Sequence, residues 1–220
     1  MQTGVEMPTK FKVVPLQTRD TPPQKRAQER ISQVLETTAQ ILASVPTHAV
    51  TTAMIASRTD IPVSSIYRYF PKIEDIFDEL YFQLSERIEA RMMLVFEDAE
   101  TYPGWRDRHR GIYRTFRDFR AEHPYYLPLM QSFLARSGPE AVDLGKSTGI
   151  AAYLAERWAS GGDGFKGGDP VVVSRVTMQT FLAIEGFTAS HIPPDQAEAY
   201  FDELSLSQER YLSYYLSDDR

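Results

Sequence analysis

Apolar positions in this chain recur at three- and four-residue steps along most of its length, the period of helices buried on one side. From Gln24 to Ser44 the stripe is Ile31, Val34, Leu35, Thr38, Ile41 and Leu42, and Val45-Pro46-Thr47 ends it because Pro46 cannot extend the hydrogen-bond ladder. Two short amphipathic helices follow. The first opens on Thr51-Thr52, either of which can cap a helix, and turns Met54 and Ile55 inward, with the small Ala56 where helices approach. A turn is predicted around Asp60, which tolerates a left-handed backbone, and Pro62 suits the first position of the next helix. On that helix Ile66 and Phe70 face inward. Val63, Ser64, Ser65, Arg68 and Tyr69 face outward, with Tyr67 at the boundary. A long helix is predicted from Ile73 to about Glu97, with Ile76, Phe77, Leu80, Tyr81, Leu84, Ile88, Met92 and Val95 on one face. Further helices are predicted over Trp105 to Glu122, Pro124 to Arg136, Pro139 to Ser160, Pro170 to Ser190 and Asp195 to Leu216, several opening at proline. No β-alternating stretch competes, so the fold class is all-α.

The outward face of the helix at Val63 suits a DNA major groove, because small hydroxyl and methyl side chains let a helix approach base edges closely. An ordinary solvent-facing helical hairpin has the same spacing. Charge distribution separates the two readings. Residues 1–72 hold nine Lys/Arg against five Asp/Glu, a balance of +4, which leaves −10 for the remainder of a chain whose total is −6. A basic head on an acidic body directs one end of the molecule toward phosphates. The proline-broken stretch 1–23 reads as a flexible basic arm whose Lys10, Lys12 and Arg19 could reach a minor groove.

Other chemistries find little support. Cysteine is absent, which excludes disulfides, thiolate metal sites and cysteine nucleophiles. His48, His109, His123 and His191 are isolated, and neither a metal-ligand spacing nor a nucleophile elbow occurs, so no metal, cofactor or enzyme activity is expected. The carboxylates read as scattered and solvent-facing. Gly161 to Asp169 lacks both the strand and the Lys-Ser/Thr ending of a phosphate loop, and reads as a flexible interhelical linker. With no signal-peptide pattern and no apolar run of about 20 residues, a cytoplasmic protein is expected.

The run from Arg30 to Leu42, then Thr51-Thr52, Ile55-Ala56 and Ser65-Ile66-Tyr67-Arg68-Tyr69-Phe70-Pro71, resembles the N-terminal domain of TetR-family transcriptional regulators in order and spacing. The resemblance is dense from about Gln28 to Leu84, and thereafter rests on helix number and length. Thr47 and Asp60 stand where the family usually has glycine, and Ile73 where it often has lysine. The resemblance implies a helix-turn-helix DNA-binding domain over 24–72, followed by an all-helical effector-binding and dimerisation domain over 73–220. It implies phosphate contacts for Thr52, Tyr67 and Tyr69 and base contacts for Val63, Ser64 and Ser65. Arg68 would reach backbone or guanine, and Lys72 would supply the charge absent at Ile73.

In the family the last two helices pair two chains. Here Val172, Val176, Phe181, Leu182, Ile184 and Phe187 on one, and Tyr200, Leu204, Leu206, Tyr211, Leu212 and Tyr215 on the other, exceed what one core needs. The family also binds effectors between its central helices. The aromatic excess here implies an apolar, aromatic or multi-ring ligand among Tyr81, Trp105, Tyr113, Phe116, Tyr126, Met130, Phe133, Trp158 and Phe181, with Arg114, Arg117 or His123 available to an acidic group. The expected protein is a homodimeric repressor, released from a pseudo-palindromic operator by a small molecule. An activator on the same fold, or an all-α enzyme or carrier using the aromatic cavity, are the alternatives.

Overall fold

The computed structural model describes residues 22–138 and 148–217. These form α1 (Pro22–Leu42), α2 (Thr52–Arg58), α3 (Val63–Tyr69), α4 (Ile73–Glu97), α5 (Trp105–Glu122), α6 (Tyr126–Ser137), α7 (Thr148–Ala159), α8 (Pro170–His191) and α9 (Ala197–Tyr215). Single 3-10 turns occur at Thr47–Ala49 and Gly162–Gly164. No strand occurs among the described residues, and the fold is all-α. The basic arm up to residue 21, and the 139–147 part of the helix predicted from Pro139, lie outside the described residues.

Side chains set many of the helix ends. Thr51 caps α2, its hydroxyl accepting from the Met54 N–H at 3.2 Å. Asp75 and Asp107, in the first turns of α4 and α5, accept from the N–H groups of Lys72 and Gly104 at 2.8 and 3.0 Å. Asp169 caps α8 by accepting from Val171 at 2.8 Å, with Pro170 in the first turn. α6 starts two residues after Pro124, because the Tyr126 N–H first closes a turn on the His123 carbonyl at 2.9 Å. Gly138, at φ +79°, ends it in a conformation that costs a side chain energy.

The corner between α2 and α3 differs from the predicted one. Asp163 is the one non-glycine residue with positive φ among those described, so Asp60 is not left-handed. The chain leaves α2 through Thr59 in extended geometry, φ −116° and ψ 151°, and the Thr59 hydroxyl donates to the Ile55 carbonyl at 3.1 Å. That bond satisfies an end-of-helix carbonyl without a left-handed residue. Pro62 is the cap of α3 and Val63 its first residue, one position later than expected.

Val34, Ile41, Ile55, Ile66 and Phe70 centre the α1–α3 head, and the same buried cluster continues through Ile76, Phe77 and Leu80 of α4 into the body. α4 packs on α1 in the head and on α5 and α6 in the body. At 25 residues it is about 37 Å long, enough to span both. α5 approaches α4 closely at Gly111, where a Cβ would stand 2.6 Å from Tyr102 Cε1 and 2.8 Å from Val95 Cγ1. α7 packs on α8, and α8 on α9.

Candidate nucleic-acid interface and internal cavity

The outward side of the head carries Thr51, Val63, Ser64, Tyr67, Arg68 and Lys72, all exposed. The seven-residue α3 turns as its apolar spacing dictates, with Ile66 fully buried and Phe70 sealed behind it. Two tyrosines exchange the places the sequence suggests. Tyr67 is 49 % exposed, whereas Tyr69 is half-buried against the core, as is Ser65. Thr52 is buried in the first turn of α2, so Thr51 is the hydroxyl at that surface. The reason is rotational: a seven-residue helix makes about two turns, and the Ile66–Phe70 anchor rotates residues 65 and 69 toward its flank.

Arg68 is pre-positioned. Its Nη2 donates to the Tyr69 hydroxyl at 2.6 Å, and its guanidinium lies 4.8 Å from the ring centroid. Tyr69 thereby restricts the arginine and keeps its own phenolic proton for donation. At the start of α4, Glu74 and Asp75 already complement the helix N-terminus, so positive charge there comes from the exposed Lys72 side chain rather than from the backbone.

Inside the body a cavity of about 130 Å³ lies among α4, α5, α6, α7, α8 and α9. Tyr81, Trp105, Tyr113, Phe116, Tyr126, Trp158 and Phe181 line it, together with Ile88, Met92, Phe96 and Met178. Met130 and Phe133 are buried in the same core but do not line it. The volume resembles that of engineered apolar cavities of about 150 Å³ that take up benzene, and a multi-ring ligand would need the walls to move.

The polar part of the wall is not the one expected. Arg114 and Arg117 are exposed on the far side of α5, and His123 closes that helix away from the cavity. Instead Glu89, Arg108, His109, Asp163, Glu185 and Gln208 line it. Glu185, 3 % exposed, accepts from the Tyr126 hydroxyl at 2.8 Å, and burial followed by that carboxylate pushes the phenol well above its ordinary pKa. Gln208 ties three helices by donating to the Thr177 carbonyl at 2.6 Å and accepting from Tyr113 at 3.0 Å. His109 Nε2 lies 2.9 Å from the Ser205 carbonyl, and burial lowers its pKa against the pull of that carbonyl and Glu209. Nothing along the chain marks Glu185 or Gln208, because a buried polar residue inside an apolar stripe shows only its position on the helix, not its partner.

The glycine-rich stretch expected to be a loose linker is a built corner. Asp163, left-handed at φ 59°, receives Arg157 Nε and Nη2, both at 2.9 Å, Trp158 Nε1 at 3.1 Å, and Arg108 Nη2. Burial opposes its ionisation, but bonds from Arg157 and the charge of Arg108 outweigh it and hold the carboxyl below its usual range. Arg108 also donates to the carbonyls of Tyr102 and Pro103 at 2.8 and 3.2 Å. Phe165 stacks between Trp158 and Tyr215, at 5.8 and 6.3 Å between centroids, pinning the corner to the end of α9.

On the outside of α8 and α9, Val172, Val176, Phe187, Tyr200 and Leu206 are exposed, and Val171 and Tyr214 extend that face. Phe181, Leu182 and Leu212 turn to the cavity, while Ile184, Leu204, Tyr211 and Tyr215 are half-buried.

A three-helix head presenting a short exposed helix of small and basic side chains, mounted on a helical body, has the arrangement of the helix-turn-helix class of DNA-binding domains. Residues 34–80 match the family described as bacterial regulatory proteins, tetR family. It is also similar to the nucleoid occlusion factors SlmA of Shewanella baltica strains OS155 and OS185. Each is 30 % identical over 71 residues, which cover 32 % of this chain and 36 % of the relative. The chain thus spans about a third of the length of these curated relatives. Among the described residues no helix is long and apolar enough to cross a membrane.

Proposed function

We propose that this protein is a sequence-specific transcriptional regulator that holds a pseudo-palindromic operator as a homodimer and releases it when a small aromatic molecule enters the cavity. The observation that carries the reading is α3 itself, exposed at Val63, Ser64, Tyr67 and Arg68 on a head matching the family's DNA-binding domain. Val63 and Ser64 are the base readers in this proposal, with Ser65 at the edge of the contact. Thr51, Thr52, Tyr67, Tyr69 and Lys72 form the phosphate cradle, Thr52 through its backbone N–H. Arg68, steered by Tyr69, reaches backbone first.

The exposed apolar faces of α8 and α9 support the dimer, since a single seven-residue reading helix gives a small footprint and two copies are needed for tight specific binding. α4 supports the switch. Its first turns pack in the head beside Phe70, while Tyr81, Ser85, Ile88, Glu89, Met92 and Phe96 farther along line the cavity. A ligand that favours one α4 position therefore changes the spacing of paired heads. The direct test is selection of bound duplexes from random DNA. An inverted repeat is the expected product, and failure to enrich any sequence at low salt would overturn the reading.

A further inference from the structure

We propose that the cavity recognises a neutral single-ring aromatic molecule carrying a carbonyl oxygen, held by a hydrogen bond from the indole N–H of Trp105. This deepens the regulatory reading above and rests on its assignment of the cavity as the effector site. Trp105 opens α5, is 4 % exposed and belongs to the cavity wall. Its Nε1 is buried without a hydrogen-bond partner, and among the described residues it is the one such side-chain atom on a residue of that wall. A buried indole N–H ordinarily has an acceptor, and one that finds none within the chain forfeits the bonds it makes to water. An occupant that brings an acceptor restores what burial removes.

Other donors of the wall are already spent on the protein. Trp158, the second of the chain's two tryptophans, donates to Asp163 at 3.1 Å. Tyr113 donates to Gln208 at 3.0 Å, and Tyr126 to Glu185 at 2.8 Å. The Gln208 amide donates in turn to the Thr177 carbonyl and the Thr180 hydroxyl, at 2.6 and 2.7 Å. A ligand oxygen is therefore directed to Trp105. Arg108 is committed to Asp163 and to the Tyr102 and Pro103 carbonyls, so an anionic acceptor would shed its hydration without gaining a cation, and a neutral one is favoured. The indole is also held in place, because the Arg106 guanidinium lies 4.3 Å from its ring centroid and is tied to Glu209 at 2.9 Å. The volume of about 130 Å³ sets the size at one ring with a short side arm.

The test titrates the full-length protein with acetophenone and with α-methylstyrene, which share a shape and differ in a carbonyl oxygen against a methylene group, and with benzoate. A carbonyl sheds water on entry, so the informative quantity is the ratio of the first two affinities, compared between the unaltered protein and Trp105→Phe. That ratio is expected to move about tenfold toward the hydrocarbon in Trp105→Phe. A second readout needs no substitution at Trp105. With two tryptophans, a nitrogen–proton correlation spectrum contains two indole signals, which Trp158→Phe assigns. Acetophenone is expected to move the Trp105 signal farther downfield than α-methylstyrene does, leaving the Trp158 signal in place. Equal shifts from the two ligands, or a ratio unchanged in Trp105→Phe, would overturn the carbonyl assignment while leaving the cavity as a ligand site. Tighter binding of benzoate than of acetophenone would overturn the neutral class. Binding of none of the three would overturn the assignment together with the cavity's role as an effector site. Operator binding measured on the same samples reports the regulatory reading separately.

Discussion

At the scale of single residues, Ser64 and Tyr67 carry different burdens although both lie on the exposed side of α3. Base contacts alone carry sequence information, so Ser64→Ala is expected to change preference among operator variants. Tyr67→Phe and Lys72→Ala should weaken all operators about equally. Competition gel shifts decide, and identical losses for the three changes would refute the division of roles. His109 gives a pH signature. Because burial depresses its folded pKa, its contribution to stability is present above about pH 6.5, the unfolded value, and is lost as pH falls through the lower folded value. Melting temperature should therefore decline on acidification already between neutrality and the carboxylate range, and His109→Gln should flatten that early part of the curve.

At the scale of elements, two joints hold the body in shape. Gly111 lets α5 approach α4, and the Cβ of Gly111→Ala would overlap Tyr102 and Val95, forcing a shift that costs about 1–3 kcal/mol in thermal or denaturant unfolding. Asp163 fixes the α7–α8 connection. Its side chain is 4 % exposed and that of Arg108 6 %, so Asp163→Ala leaves a buried guanidinium without its partner and should destabilise by about 3 kcal/mol. Asp163→Asn keeps the left-handed tolerance and one acceptor and should cost less, a ranking that chemical denaturation can check.

At the scale of the whole molecule, the proposed function depends on two heads acting together. Val172→Lys combined with Val176→Lys puts charge onto the exposed face of α8 without touching the cavity wall. This double change is expected to give a monomer by sedimentation velocity and to weaken operator binding, with the melting temperature little altered. A dimer of unchanged stability would move the interface elsewhere.

Helix periodicity was legible because it depends on local spacing alone: α4 and α5 begin and end where their apolar stripes and caps require, and the inward Ile66 and Phe70 follow from four-residue spacing. The family resemblance lay in side chains that a DNA-binding head needs at fixed places. What the sequence by itself determined is therefore an all-helical chain with a basic helix-turn-helix head. The tertiary structure alone decided that Ser65 and Tyr69 turn half inward, that a glycine-rich stretch becomes an ion-paired corner around Asp163, and that Glu185, not Arg114 or Arg117, lines the cavity. Those outcomes depend on helix rotation and on partners dozens of residues away, where pairwise charge and burial act through space and leave no periodic trace along the chain.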